Sequence, residues 1–109
     1  MHDAQTLLSQ LQALSHPVRL WVVAMLAREG ELYVSHLARE AGISRPLMKM
    51  HLKKLELAGL VCCETGLAEN GKAANFYRVM PFALTLTPET IAQADPDASL
   101  APHQGDRDD

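Results

Sequence analysis

The chain has 109 residues, room for one domain with a modest core. Apolar residues make up 48% and aromatic residues only 5%, and a small domain short of large side chains often gains burial by associating with itself. The formal net charge of −3 speaks against a nucleic-acid partner only until its distribution is read. Residues 95–109 carry five Asp and one Arg, which leaves nine Lys/Arg against eight Asp/Glu in residues 1–94. Within 43–78, six cations (Arg45, Lys49, Lys53, Lys54, Lys72, Arg78) face three anions (Glu56, Glu64, Glu69), so the positive charge is local, as a DNA-facing surface requires. The cysteines, Cys62 and Cys63, are adjacent, which is no disulfide framework and suits a reducing compartment. The first residues lack a basic stretch followed by an apolar one, and the apolar run 20–27 is too short to span a bilayer. A cytoplasmic protein with no membrane partner is expected.

A helix is predicted over residues 4–15, where Leu7, Leu8, Leu11 and Leu14 form one apolar stripe. Ser15-His16-Pro17 punctuates it; Ser15 or His16 flanks a second helix over 17–29, with Pro17 in its first turn. Val18, Leu20, Trp21, Val22, Val23, Ala24, Met25 and Leu26 make this helix apolar almost all round, so it is expected to be central and buried on several sides. Gly30 is placed to end it, and residues 31–34 read as a brief strand. Ser35 is a good N-cap for a third helix over 36–41, which Gly42 closes. After Ile43, Ser44 caps a fourth helix over 45–58, with Pro46 tolerated in the first turn and Gly59 at the end. Its buried face is predicted to be Met48, Leu52 and Leu55, continued by Leu60. Residues 60–65 and 75–80 form a hairpin around Asn70-Gly71, with Tyr77 and Val79 on one face and Phe76 and Arg78 on the other. Thr87-Pro88-Glu89 has the grammar of a last helix start, running to about residue 94. From 95 the chain has almost nothing to bury, and a disordered acidic tail is expected to 109.

The predicted order is α-α-β-α-α-β-β-(α), a mainly α chain with a small β-hairpin wing (α+β). Two helices joined by a glycine turn and followed by a β-ribbon form a winged helix-turn-helix. Residues 1–94 are then a domain for DNA binding and dimerisation. Small Ala38 lets the supporting helix approach the fourth, Gly42 permits the turn, and Ile43 fills the gap between them. The fourth helix, 45–58, is the element expected in the major groove of double-stranded DNA, because the N-terminal residues of such a helix meet base edges. Arg45, Pro46, Leu47, Lys49 and Met50 lie there, with Arg45 and Lys49 suited to guanine or phosphate and Leu47 and Met50 to thymine methyls. His51 is placed at the edge of this face, Lys53 and Lys54 toward phosphate, and the amides near Ser44 toward phosphate as well. Lys72 at the tip of the wing, 64–76, is expected on the DNA backbone or in the minor groove. Lys53 and Lys54 alone would equally suit a solvated helix face.

Three stretches carry a family likeness. Leu14-Ser15-His16-Pro17-Val18-Arg19-Leu20 resembles the Leu-x-His-Pro-x-Arg-Leu signature of the ArsR-type regulators. Ile43-Ser44 through Met48, His51-Leu52-Lys53-Lys54-Leu55 and Ala58-Gly59-Leu60-Val61 resemble that family's reading helix, and Phe76-Tyr77-Arg78-Val79 its second wing strand. The resemblance covers about residues 5–80. It implies a homodimeric transcription regulator, usually a repressor, that dimerises through its terminal helices; Leu7, Leu8, Leu11 and Leu14 are then the candidate dimer surface. Metal-sensing members carry a Cys-x-Cys where this chain has Tyr33 and Ser35, or Asp and His along the last helix where it has Ile91-Ala92-Gln93-Ala94. Metal sensing by either route is therefore not expected.

No cofactor is expected, and nothing pairs a nucleophile with a base or two carboxylates in a cleft, so no catalysis is predicted. His16, His36 and His51 are dispersed over three elements without ligand spacing. Adjacent strand residues point to opposite faces, so Cys63 is expected inward with Val61 and Cys62 more exposed. No Lys or Arg flanks them in the sequence to make a reactive thiolate. Arg19 and Arg28 suit either acids at a subunit interface or, for Arg19, a phosphate. The rival reading is a winged-helix protein-interaction module that binds no DNA, for which apolar Leu47 and Met50 on the presumed DNA face are the support. The effector, if there is one, is not legible in the sequence.

Overall fold

The computed structural model describes residues 3–100. In chain order the elements are α1 (Ala4–Leu14), α2 (Pro17–Glu29), β1 (Leu32–Tyr33), α3 (Val34–Ala41), α4 (Arg45–Leu57), β2 (Val61–Leu67), β3 (Ala73–Val79), α5 (Pro88–Gln93) and α6 (Asp97–Leu100). This is the mainly α winged helix-turn-helix that the sequence predicts.

Local chemistry sets most boundaries. The Asp3 carboxylate accepts from the Thr6 amide at 2.9 Å and starts α1. His16, rather than Ser15, caps α2: its Nδ1 accepts from the Val18 amide at 3.1 Å, and Pro17 fills a first-turn position that needs no amide. α3 starts earlier than predicted. Tyr33 is its N-cap and offers no side-chain bond, and Ser35 lies inside the first turn, not at the cap. The cause is β1, whose two residues pair with β3 (Leu32 with Tyr77, Tyr33 with Phe76) and hold the chain extended up to Tyr33.

The sheet is antiparallel in the order β1-β3-β2, so the predicted hairpin gains a third strand. The hairpin is also longer than predicted: pairing runs from Val61 with Val79 to Leu67 with Ala73. Residues 68–72 turn the chain. There the Asn70 carboxamide oxygen accepts from the Lys72 amide at 3.0 Å, and Gly71 adopts φ +82°. A Cβ at Gly66 would lie 3.1 Å from the Phe76 ring, a tight contact that the ring would have to ease.

Met48, Leu52, Leu55 and Leu60 have no exposed surface, as their spacing predicts, and join Val22, Leu26, Leu37, Val61 and Tyr77 in one core. α2 is less enclosed than predicted. Its neighbours α1, α4 and β3 cover the stripe with Val22 and Leu26, whereas Leu20, more than half a turn away, is 57% exposed.

Thr87 and Thr90 form a reciprocal capping box at α5, with bonds of 3.0 and 2.9 Å. Buried Ala94 and Ala4 reflect the packing of the C-terminal helices on α1. The helical turn α6 falls in the stretch that the sequence reads as a structureless acidic tail; residues 101–109 of that tail lie outside the described residues.

Candidate nucleic-acid interface

The turn between α3 and α4 is built by glycine. Gly42 adopts φ +73°, and the amides of Gly42 and Ile43 bond back to the carbonyls of Arg39 (3.2 Å) and Ala38 (3.1 Å). Ser44 then caps α4, its hydroxyl accepting from the Leu47 amide at 3.2 Å, with Pro46 in the first turn. With Met48, Leu52 and Leu55 turned into the core, Ser44, Arg45, Pro46, Leu47, Lys49, Met50, Lys53 and Lys54 are all exposed. Two of them are large apolar residues, Leu47 at 41% and Met50 at 39%.

The wing folds toward the start of α4 and the two enclose an open groove of about 680 Å³. Arg45 and Lys49 line it from the helix and Lys72 from the hairpin turn, against one carboxylate, Glu69. The groove thus brings together three cations that the sequence places on two separate elements. Ser35 and Asn75 also line it, and sequence reasoning missed both. No local pattern marks them: Ser35 arrives through the shifted start of α3, and Asn75 through the longer ladder, where it accepts a bond from Thr65 at 3.3 Å. Lys54 stands apart, lining a smaller cleft with Ser9, Gln12 and Arg19.

Two residues do not belong to this face as the sequence suggested. His51 is 3% exposed and lies on the buried side of α4, which removes it from any DNA contact. It follows Met48 by three residues and precedes Leu55 by four, so helical geometry turns it inward with them. Burial, then the neighbouring His16 and Arg19, hold its pKa below the ordinary histidine value. Arg78 is spoken for on the outer face of the sheet, where its Nη1 meets Glu64 at 2.6 Å and Glu31 at 3.6 Å. Arg19 is engaged within its own chain: its Nε donates to His51 Nδ1 at 3.1 Å, and its Nη1 donates to the carbonyls of Gln12 and Ala13.

The cysteines separate by face as expected, Cys63 packing against the core opposite Tyr77 and Cys62 lying opposite Arg78. Cys62 therefore does have a cationic neighbour, across the ladder and not along the chain, although Arg78 is engaged by two carboxylates. Burial and the Cys63 contact push the Tyr77 hydroxyl up to about 12. Among the described residues, no three His, Cys, Asp or Glu side chains gather as a metal-ligand set.

A second surface is formed by other elements. Leu7, Leu8 and Leu11 of α1, with Ile91, Ala94 and Leu100, line an apolar groove of about 400 Å³. Leu14, in the last turn of α1, packs instead against the core of its own chain. Among the described residues, no helix is long and apolar enough to cross a membrane.

A family model described as a helix-turn-helix domain matches residues 14–63. An HTH-type transcriptional regulator of Methanocaldococcus jannaschii is 34% identical over 80 residues, covering 73% of this chain and 82% of its own. The crystal structure of the transcriptional repressor BigR from Xylella fastidiosa is similar at a TM-score of 0.56 and 27% identity, over 96% of this chain and 92% of that one. The solution structure of a homodimeric winged helix-turn-helix DNA-binding domain from Mycobacterium bovis, described as a possible ArsR-family regulator, shares the fold at a TM-score of 0.57 and 21% identity, over 93% and 82% of the two chains.

Proposed function

From membership of the ArsR-type winged helix-turn-helix transcriptional regulators, to which this chain belongs, we propose that it acts as a homodimeric, sequence-specific repressor on double-stranded DNA. Each protomer seats the exposed face of α4 in the major groove and lays the wing along the adjacent backbone. The observation that carries this reading is the convergence of Arg45, Lys49 and Lys72 on one open groove between helix and hairpin. Phosphate contacts from these cations supply affinity and register, while Leu47 and Met50 offer apolar contact to thymine methyls. Two copies joined through the α1 and α5–α6 groove would present two such helices on half-sites about one helical turn apart. A regulator of this kind works in the cytoplasm.

The test is selection of bound fragments from genomic DNA by the purified protein, followed by footprinting. A shared inverted motif, protected over two half-sites, is the expected result. Retention on duplex DNA that does not fall with salt, or no retention at all, would overturn it and favour the rival, a winged-helix module that uses exposed Leu47 and Met50 to bind protein.

A further inference from the structure

We propose that His16, Arg19 and His51 form a proton-operated latch between the α1–α2 elbow and the reading helix, closed while His51 is neutral and opened by acidification. The latch stands on its own geometry; only its consequence for DNA rests on the reading proposed above.

Arg19 is the centre of the device. Its Nε donates to His51 Nδ1 at 3.1 Å, and a guanidinium has no acceptor to offer in return. That nitrogen must therefore hold a lone pair, so His51 is the neutral tautomer with its proton on Nε2. The same guanidinium donates through Nη1 to the carbonyls of Gln12 at 3.3 Å and Ala13 at 3.4 Å, in the last turn of α1. His16 closes the group from the start of α2. Its ring centroid lies 4.4 Å from that of His51, while its own Nδ1 is occupied by the Val18 amide. One side chain of α2 thus ties the end of α1 to the buried side of α4.

The surroundings make protonation disruptive. His51 is buried, and the charged or titratable groups that act on it are His16 and Arg19, both from α2 and neither a carboxylate. From α1 come only the carbonyls that hold Arg19. On α3, His36 and Arg39 face each other and Glu40 is exposed. On β2, Glu64 is paired with Arg78, Cys62 lies opposite Arg78 and Cys63 opposite Tyr77. A proton on Nδ1 would set donor against donor and imidazolium against guanidinium at a buried ring. Separation of Arg19 from His51 relieves both conflicts and removes this polar tie between the last turn of α1 and α4, leaving the apolar packing of Ala13 and Leu14. Because α1 carries the apolar groove and α4 the DNA face, opening the latch loosens the link between association and reading.

The experiment follows imidazole and backbone signals of the full chain by NMR from about pH 8 to pH 5. His51 is expected to titrate below the ordinary histidine value, with the amides of Ala13, Leu14 and Ser15 moving at the same midpoint. A His51 that titrates at the ordinary value, or α1 amides that stay still as it titrates, would overturn the latch. In His51→Asn the amide oxygen can replace Nδ1 as acceptor without titrating, and the α1 response should vanish. His16→Asn keeps an N-cap acceptor but removes the ring beside His51, a neighbour that lowers its pKa, so it should raise the His51 midpoint; an unchanged midpoint removes His16 from the device. On random-sequence duplex DNA at constant ionic strength, wild-type affinity is expected to fall roughly fivefold or more across the titration, and that of His51→Asn by less than about twofold. An equal fall in both overturns the functional consequence. A protein that binds no DNA at any pH refutes the DNA reading, while the NMR result still decides the latch.

Discussion

Tyr33 and Phe76 meet edge to face, with ring centroids 5.5 Å apart and planes at 83°. Tyr33 ends β1 and caps α3; Phe76 belongs to the returning strand of the wing and lies over Gly66. The contact braces the wing against the helix pair, so that the groove holding Arg45, Lys49 and Lys72 keeps its shape. Replacing Phe76 by Leu keeps an apolar side chain but loses the ring pair, and should cost about 0.5–1.5 kcal/mol beyond its area term in urea unfolding. An unchanged unfolding midpoint would show that the pair braces nothing.

Arg45→Ala and Lys49→Ala should weaken binding to the selected operator while leaving thermal stability within about 0.5 kcal/mol of wild type, since both side chains are exposed. If Arg45 reads a base, its loss costs about 1–3 kcal/mol and relaxes preference at one position of the site. Parallel footprints and melting curves check both halves of the expectation.

Lys72→Ala should act differently. A wing-tip lysine on phosphate adds affinity without sequence information, so its removal should weaken all duplexes about equally. The slope of log affinity against log salt should shrink by about one. A loss confined to one sequence would place Lys72 on a base.

Stability should depend on pH in one direction around His51. Its folded pKa lies below the ordinary value of 6.5, so below that value the unfolded chain takes up a proton that the folded chain resists. The stability is fully present above the ordinary value, is lost as pH falls through it, and levels off below the folded pKa. Urea midpoints at about pH 7.5 and 5.5 should therefore differ more in wild type than in His51→Asn.

The α1 groove should be where two copies meet. Leu8→Asp or Leu11→Asp places a charge on apolar surface contributed by both α1 and the C-terminal helices. Sedimentation should show a dimer for wild type at micromolar concentration and a shift toward monomer for either variant. Wild type sedimenting as a monomer would remove self-association from the proposed function.

Much of this molecule is decided locally and could be read from the chain. The apolar stripe at Met48, Leu52 and Leu55, the glycines that end α3 and α4, and the caps at Ser44 and Thr87 act within a few residues of themselves. Those signals specify the helix pair, the wing and the exposed set from Arg45 to Met50. Polar partnerships across distance follow another logic. His51 looked like the edge of a DNA face because a histidine among lysines reads as surface; the spacing from Met48 and to Leu55 turns it inward, and only the fold supplies its polar partner, Arg19, thirty-two residues away. Arg78 counted as free charge until β-pairing set it beside Glu64, and Cys62 seemed to lack a cation until the same ladder put Arg78 opposite it. The brief strand at 31–34 was legible, but its place in the sheet was not: the fold alone pairs Leu32 with Tyr77 and Tyr33 with Phe76. Periodicity and capping are properties of neighbours in sequence. Which charges remain free for DNA is a property of neighbours in space, and only the tertiary structure decided it.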